Sequence, residues 1–457
     1  MIRGGHRCLT RVIEPPVISI RRVTHVCKGS TVKQEVKVPK ASAPWAAGAS
    51  SPRVTKVSTF LTAPVGIPLV VVKIETSEAG LIGWGCASDP QRPLAIRTVI
   101  DTYLGPLLIG RPSGDIDDFH HLASLSPYWR GGAIENNALA GIDVALWDIK
   151  GKAAAMPVHQ LLGGQVRTYV PVYGHAGGRD HAELIDAVHR YKDRGYEYIR
   201  CQIEVSGADT YGVSGSSDDK LLAQKQARAI PWTPRPYPAA VVQMFAAVRE
   251  AIGFDIEILH DVHERLDAVS AVRLSRELDE FRLFFLEDAL APEDSEWYHH
   301  MRQHSTTPQA VGEVYSGARE FLPLISARLI DFARIRMCSI GGLTPTVKLA
   351  HLCEAFGVRL AIHGPGDVSP IGHAAGIHVD ASSRAFGIQE SVEFPEVMCE
   401  VFPGAPLVMN GRHLVSQAPG LGVEYDERAG ARYTHPSPLT FDSWALLRRE
   451  DGSVARP

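Results

Sequence analysis

The sequence has few cysteines, no long apolar run and no marked charge of either sign. Its seven cysteines form no CxxC pair, which excludes a zinc ribbon and a secreted disulfide scaffold and favours a reducing, cytoplasmic compartment. No apolar stretch approaches the roughly 18 residues needed to cross a bilayer. A net charge of −4 gives no attraction to nucleic acid or to an anionic membrane, so we expect neither as a partner.

The first fifty residues differ from the rest in charge. They contain nine Lys or Arg residues but only two acidic residues, Glu14 and Glu35. This composition predicts a basic, disordered extension over 1–52. A transit peptide and an upstream start codon are both compatible with it, as is a tail that takes no part in the chemistry.

A chain of 457 residues is too long for one ordinary core, so we expect two folded domains. Residues 54–85 alternate in polarity and contain glycine-rich turns, which predicts a β-meander. Residues 135–156 carry the clearest apolar stripe of helical spacing in the chain. Strands followed by helices predict an α+β capping domain over 53–165, which we expect 400–457 to complete.

From 166 to 399 strand and helix patterns alternate. Eight such units in about 230 residues match the size of a closed parallel barrel of the TIM type. An open doubly wound sheet is the alternative, but the loop after the first strand lacks the GxGxxG spacing that it needs. The eight candidate strands are 169–173, 198–202, 257–261, 284–287, 310–313, 329–337, 358–362 and 386–388.

Three acidic residues recur at equal steps of 26 along this region. Asp261, Glu287 and Glu313 each end a short apolar run that predicts a strand. A strand, a helix and their loops take about this many residues, because a crossover needs roughly 10–12 beyond its strands. The spacing therefore places three carboxylates at one end of three consecutive parallel strands. Three carboxylates without a cysteine favour Mg²⁺ over Zn²⁺.

The other predicted strand ends also carry polar side chains. For any one of them a salt bridge to a neighbouring loop is an alternative explanation, but a full set is hard to explain by packing. Asp288 follows Glu287, so alternation along a strand predicts that it points to the opposite face and is structural. The remaining residues at the ends are His175, Arg200, His263, Arg334, Arg336, His363, Asp367 and Glu390.

These acids, the helical segment GIDVALWDIKGKA (141–153) and LLGG (161–164) resemble the enolase superfamily. Further segments resemble its mannonate dehydratase group, which includes starvation-sensing proteins. The similarity runs from about residue 54 to the end, and it implies a modified (β/α)7β barrel with an α+β cap. The segments are 127–130, 173–175, 199–202, 210–213, 259–263, 302–304, 312–314, 363–370 (HGPGDVSP), 387–390 and 419–422.

The resemblance implies a role for each candidate residue. Asp261, Glu287 and Glu313 would bind Mg²⁺. Tyr211, assisted by Arg200, would take the C2 proton of an aldonic acid, since a nearby guanidinium favours the phenolate. His263 would protonate the departing 3-hydroxyl. The residues that would bind the substrate are His175, Arg334, His363, Asp367 and Glu390.

The predicted activity is therefore Mg²⁺-dependent dehydration of an acid sugar, of the D-mannonate or D-gluconate class, to a 2-keto-3-deoxy acid. The resemblance also implies a homo-oligomer, with an octamer as one size. Two alternatives stay open: a racemase or epimerase of a hydroxy acid, and a regulatory protein that binds a sugar acid without turnover. The racemase branch of the superfamily pairs the His after the seventh strand, here His363, with an Asp that ends the sixth strand. In this sequence Asp331 lies at the start of the sixth strand, too far back for that pairing. Three segments depart from the sequence pattern of the group: 89–92, 391–396 and 455–457. These departures indicate that the parts of the pocket that select the substrate are altered.

Overall fold

The computed structural model describes residues 51–205, 231–433 and 448–456. Its N-terminal part begins with a three-stranded antiparallel sheet in the order β1-β2-β3, as the alternating pattern predicted. Five α-helices follow, with a π-helix at Ile100–Leu104 between the first two. The elements are β1 (Val54–Thr62), β2 (Leu69–Thr76), β3 (Ile82–Cys86), α1 (Pro93–Val99), α2 (Gly105–Leu108), α3 (Ile116–Leu125), α4 (Ala133–Ala153) and α5 (Val158–Leu161).

Helix α4 lies directly against β3, and glycine makes this close approach possible. A Cβ atom on Gly85 would lie 1.8 Å from the carbonyl oxygen of Gly141, and one on Gly83 would lie 2.2 Å from that of Ala145. Most of α4 is buried, including Ile142, because its other faces contact α1, α3 and α11 (Leu343–Phe356). The cap therefore has a tightly packed sheet-on-helix core.

Eight parallel strands then form a closed barrel, so the predicted fold class is confirmed. Consecutive strands pair in chain order, and the last pairs with the first through Glu390 and Tyr173. The strands are β4 (Tyr169–Gly178), β5 (Tyr198–Ile203), β6 (Glu257–Asp261), β7 (Phe285–Glu287), β8 (Gln309–Val311), β9 (Phe332–Ile335), β10 (Arg359–Ile362) and β11 (Phe386–Glu390).

Helices follow the barrel strands and cover the outside. Inside, Phe285, Phe332 and neighbouring apolar residues fill the barrel interior with a packed layer. The helices are α6 (His181–Asp193), α7 (Tyr237–Ile252), α8 (Ala268–Glu277), α9 (Tyr298–His304), α10 (Phe321–Ser326), α11, α12 (Pro370–Ser382), α13 (Glu396–Val401) and α14 (Glu427–Gly430), with short 3-10 helices at Asp279–Phe281, Pro292–Trp297 and Ala318–Glu320.

The C-terminal segment contacts both parts of the fold. Its hairpin, β12 (Val408–Met409) and β13 (Arg412–Leu414), pairs antiparallel with β4 of the barrel. Farther along, the amide of Leu421 donates to Asp148 on α4 at 2.8 Å, and Trp84 of β3 donates to Glu424 at 2.6 Å. The predicted domain boundaries stay a prediction. Among the described residues no helix combines the length and apolarity that a bilayer crossing demands.

Candidate active site

The three equally spaced acids come together at the carboxyl end of the barrel, but not in equal register. Asp261 and Glu287 end β6 and β7 and are paired directly across the two strands. Glu287 in turn pairs with Ala310 of β8. Glu313 follows Ala310 by three residues, so it lies beyond the level of Glu287. The stagger between neighbouring strands of a tilted barrel explains this shift. Gly312, with φ +125°, makes the turn that carries Glu313 past the end of β8.

Arg334 on β9 is the positive charge at the centre of these acids. Its side chain is fully buried, and its guanidinium donates to Glu287, to Glu390 at 2.6 Å and to the hydroxyl of Tyr173 at 2.8 Å. It also lies 3.7 Å from Glu313. Arg334 therefore offsets carboxylates whose burial would otherwise be costly.

The pKa values of Glu287 and Glu313 are shifted in opposite directions in this buried, charged environment. Burial raises the pKa of Glu287 well above its ordinary value, and Arg334 only partly opposes that effect. Burial also acts to raise the pKa of Glu313, but His363 and Arg334 outweigh it and hold that pKa well below its ordinary value. The site therefore keeps a negative charge on Glu313, while one oxygen of the buried Glu287 has no hydrogen-bond partner among the described residues.

The residues present fit a divalent cation. Oxygens of Glu287, Asp288 and Glu313 lie within 4.8 Å of one another, and each of the first two residues has one buried oxygen to which no described residue donates a hydrogen bond. An all-oxygen set of carboxylates is the donor chemistry that Mg²⁺ prefers. Asp261 lies beside this group through its strand pairing with Glu287.

The expectation that Asp288 points to the opposite face is wrong. Strand β7 ends at Glu287, and Asp288 adopts a left-handed backbone conformation with φ +34°, so alternation no longer holds there. Its carboxylate turns toward Glu313 and accepts a hydrogen bond from the amide of Gly312 at 2.9 Å. The left-handed backbone conformation brings Asp288 into the group with Glu287 and Glu313, and the sequence pattern does not predict that conformation.

On one side of the acids lie Arg200 and His175, which face each other on β5 and β4. Arg200 donates to Asp261 at 3.4 Å and lies 3.8 Å from Glu390. The Nε2 atom of His175 is 3.2 Å from Glu390. Burial and the nearby Arg200 lower the pKa of His175, so this ring is neutral at neutral pH. The structure thus brings Arg200 and His175 together at Glu390, and all three are predicted site residues.

On the other side lie two histidines. His263 has φ +54°, and its amide donates to Asp261 at 2.8 Å while its Nε2 atom lies 3.6 Å from Glu313. His363 lies just after β10, with Nε2 3.1 Å from Glu313 and 3.6 Å from Glu390. Both rings are close to nine-tenths buried. The acids are therefore flanked by Arg200 and His175 at Asp261 and Glu390, and by His263 and His363 at Glu313.

Asp367 reaches the site through a residue to which the sequence analysis gave no role. Arg336 donates to both carboxylate oxygens of Asp367 at 3.2 Å. Its position two residues after Arg334 was visible in the sequence, but it lies just past the end of β9 and its partners are far away in the chain. Tyr211, the predicted base, lies outside the described residues. The structure thus brings together all the other predicted site residues.

Comparisons with known proteins agree with this architecture. Residues 184–429 match the family model "Enolase C-terminal domain-like", and residues 46–163 match "Mandelate racemase / muconate lactonizing enzyme, N-terminal domain". A protein from a Streptomyces species, named a D-galactonate dehydratase family member, is 50% identical over 420 residues, covering 91% of this chain and 95% of the relative. A Pantoea ananatis protein of the same family is 44% identical over 419 residues, covering 88% and 99%.

Solved structures show the same fold. A crystal structure of an enolase from Pantoea ananatis, with bound D-gluconate and Mg, superposes with a TM-score of 0.82 at 43% identity, covering 89% of this chain and all of that one. An enolase from Agrobacterium radiobacter, a putative galactarate dehydratase with bound Na and L-malate, gives a TM-score of 0.74 at 25% identity, again covering 89% and 100%.

Proposed function

Because the chain belongs to the mandelate racemase/muconate lactonizing enzyme family of the enolase superfamily, and within it to the D-galactonate dehydratase family, we propose that it dehydrates an aldonic acid with Mg²⁺. The substrate would be of the D-mannonate or D-gluconate class, and the product a 2-keto-3-deoxy acid. The observation that carries the proposal is the buried group of carboxylates at the barrel end, which has flanking acid–base side chains and two oxygens without a hydrogen-bond partner in the described parts of the chain. The bound D-gluconate and Mg of the Pantoea structure support the substrate class.

Asp261, Glu287 and Glu313 are the proposed ligands of the ion. When bound, Mg²⁺ supplies positive charge beside the substrate carboxylate, which makes the neighbouring C2 proton easier to remove. The chain's own carboxylates hold that charge in place. Arg334 forms ion pairs with Glu287 and Glu390 and has no exposed surface. Among the predicted substrate-binding residues it is therefore the one that we propose acts through these two carboxylates and not by direct contact with the substrate.

Proton transfer is the task of the flanking residues. Tyr211 is the proposed base at C2, and Arg200, 3.4 Å from Asp261, provides the positive charge that favours its phenolate form. His263 lies across the acids beside Glu313, where it can give a proton to the departing 3-hydroxyl. His175, His363, Asp367 and Glu390 surround the same space and are the proposed partners of the substrate's carboxylate and hydroxyls.

The test is an assay of the purified protein with Mg²⁺ against a set of aldonic and aldaric acids, with 2-keto acid as the product detected. We expect product from at least one of D-mannonate, D-gluconate and D-galactonate, and none from a His263→Asn variant that still binds the acid. Binding of an acid without product from any of them would support the regulatory alternative and contradict the dehydratase.

Racemisation is distinguished in the same experiment by running it in deuterated water. Deuterium incorporation at C2 without loss of water would show a racemase or epimerase. The structure offers no support for that outcome, because Asp331 is engaged with Arg302 and the amide of Gln309, both at 2.8 Å, at the opposite end of β9 from His363.

A further inference from the structure

Arg336 is the point at which the cap meets the catalytic end of the barrel. Its side chain is only 12% exposed. Besides the two oxygens of Asp367, it reaches the backbone carbonyl of Ser88 at 3.1 Å, and its Nη1 atom lies 3.4 Å from Nδ1 of His363. Ser88 lies two residues after β3, and His363 and Asp367 lie in the loop after β10, so this one guanidinium contacts the cap and one neighbouring barrel loop.

The planar, multiply donating head of arginine suits this position. It offers five N–H donors in a fixed fork, whereas lysine offers three from a single point. Burial acts to lower the pKa of Arg336, but Asp367 and nearby groups outweigh it and raise that pKa above its ordinary value, so the charge is permanent. A buried, permanently charged residue that joins the cap loop at Ser88 to the barrel loop after β10 restricts both.

The contact with His363 also fixes the direction of that ring. A guanidinium only donates, so Nδ1 of His363 must be the accepting nitrogen and Nε2 carries the proton. Nε2 then donates toward Glu313 at 3.1 Å. Arg336 therefore influences the orientation of His363, which in turn contacts Glu313.

We propose that Arg336 is a positioning residue that ties the cap loop at Ser88 to His363 and Asp367 and thereby fixes the wall of the substrate pocket. The proposal rests on the proposed function insofar as His363 and Asp367 bind the substrate. It explains how a cap loop whose sequence departs from the group at 89–92 is still held against the barrel: the contact runs through a backbone carbonyl, which any residue at position 88 supplies.

The kinetic test compares Arg336→Ala and Arg336→Lys with a control, Arg302→Ala. Arg302 forms an ion pair of the same kind with Asp331 at 2.8 Å, but at the other end of β9. Loss of the Arg336 fork should raise KM for the accepted acid by about tenfold and lower kcat less, because binding residues are misplaced while the acids stay intact. Arg336→Lys should fall between. Arg302→Ala should lower Tm and leave KM unchanged.

A double variant tests whether Arg336 acts through Asp367. Asp367→Asn alone and Arg336→Ala alone should each raise KM, and the combined variant should be little worse than the poorer single one, because coupled residues are not additive. If the two effects on KM simply multiplied, Arg336 would not act through Asp367.

A measurement without substrate separates this proposal from the proposed function. Backbone amide hydrogen exchange of residues 86–92 should become at least about fivefold faster in Arg336→Lys, and faster still in Arg336→Ala if that variant folds, but not in Arg302→Ala. An inactive wild-type protein would contradict the proposed function alone, and the exchange result would still decide the role of Arg336. Unchanged exchange in 86–92, or an unchanged KM in an active protein, would overturn the proposal.

Discussion

Either Asp261 or Asp288 could be the third metal ligand beside Glu287 and Glu313, and the proposed ligand is Asp261. We expect Asp261→Asn to abolish the rise in Tm that Mg²⁺ gives the wild-type protein, since an ion that binds only the folded state stabilises it. Asp288→Asn should keep that rise. It should instead lower Tm without metal, because Asp288 holds the amide of Gly312 and so the turn that carries Glu313.

Thermal shifts and calorimetric titration with MgCl2 distinguish the two variants. Glu287→Gln serves as the reference, since Glu287 belongs to both possible ligand sets. A Mg²⁺ response that survives Asp261→Asn but disappears in Asp288→Asn would replace Asp261 by Asp288 in the proposed ligand set.

His413 makes the stability depend on pH. Its Nδ1–H donates to the carbonyl of Leu407 at 3.1 Å and its Nε2 accepts from Ser391 at 2.7 Å, so the buried ring is neutral. Burial lowers the pKa of His413 to about 4. The unfolded chain takes up a proton near pH 6.5, so the contribution of His413 is complete above that pH and is lost as the pH falls toward 4.

Urea unfolding at pH 7.5 and pH 5 measures this effect. The His413→Gln variant should be less stable than wild type at pH 7.5, but should lose about 2 kcal/mol less between the two pH values. The control is His299→Gln, the same substitution at an exposed position. An equal pH dependence in His413→Gln and wild type would contradict the assignment.

The packing of β3 on α4 depends on the absence of a side chain. Gly85→Ala should lower the free energy of unfolding by at least about 2 kcal/mol, because the new methyl group would meet backbone, which cannot rotate away. Gly317→Ala is the matched control: among the described residues, no atom beyond its chain neighbours lies within 4 Å of its Cβ position, and its φ of −164° suits any residue. Similar losses in the two variants would contradict the role given to Gly85.

Helices and strands follow the sequence pattern closely where the pattern is local. The helix predicted over 135–156 is Ala133–Ala153, and the strand predicted over 198–202 is Tyr198–Ile203. The strand predicted over 329–337 is shorter, Phe332–Ile335, because the chain leaves the sheet on both sides of it. Apolar periodicity reports which face is buried, but where pairing stops depends on the neighbouring strand.

For the candidate site, too, the sequence pattern predicted the local features but not those that depend on distant segments. Spacing along the chain was enough to bring Asp261, Glu287 and Glu313 to one end of the barrel, because one βα unit has a nearly constant length. It did not give their register, which depends on strand stagger. Nor did it give the contact between Arg336 and Ser88, which are 248 residues apart and meet only when the cap docks on the barrel.

Residues 1–51 fall outside the unit that contains the site, which spans Pro52–Pro457. Among the described residues, β1 and the residues just before it have partners downstream: the amide of Val54 donates to Arg111 at 2.9 Å, and the carbonyl of Pro52 accepts from Ser113 at 2.9 Å. A protein that starts at Pro52 after an initiator methionine should therefore keep the kcat/KM of the full chain and a Tm within about 2 °C of it.

A longer deletion provides the comparison. Starting at Ala63 removes β1 and uncovers the edge of β2, where Val70 and Val72 are buried, so Tm should fall sharply and soluble yield should drop. Scanning calorimetry and the 2-keto acid assay on the three proteins decide the matter. If removal of 1–51 alone lowered Tm or kcat/KM as much as the removal of β1, the N-terminal extension would be part of the folded enzyme, and the predicted boundary at residue 52 would be wrong.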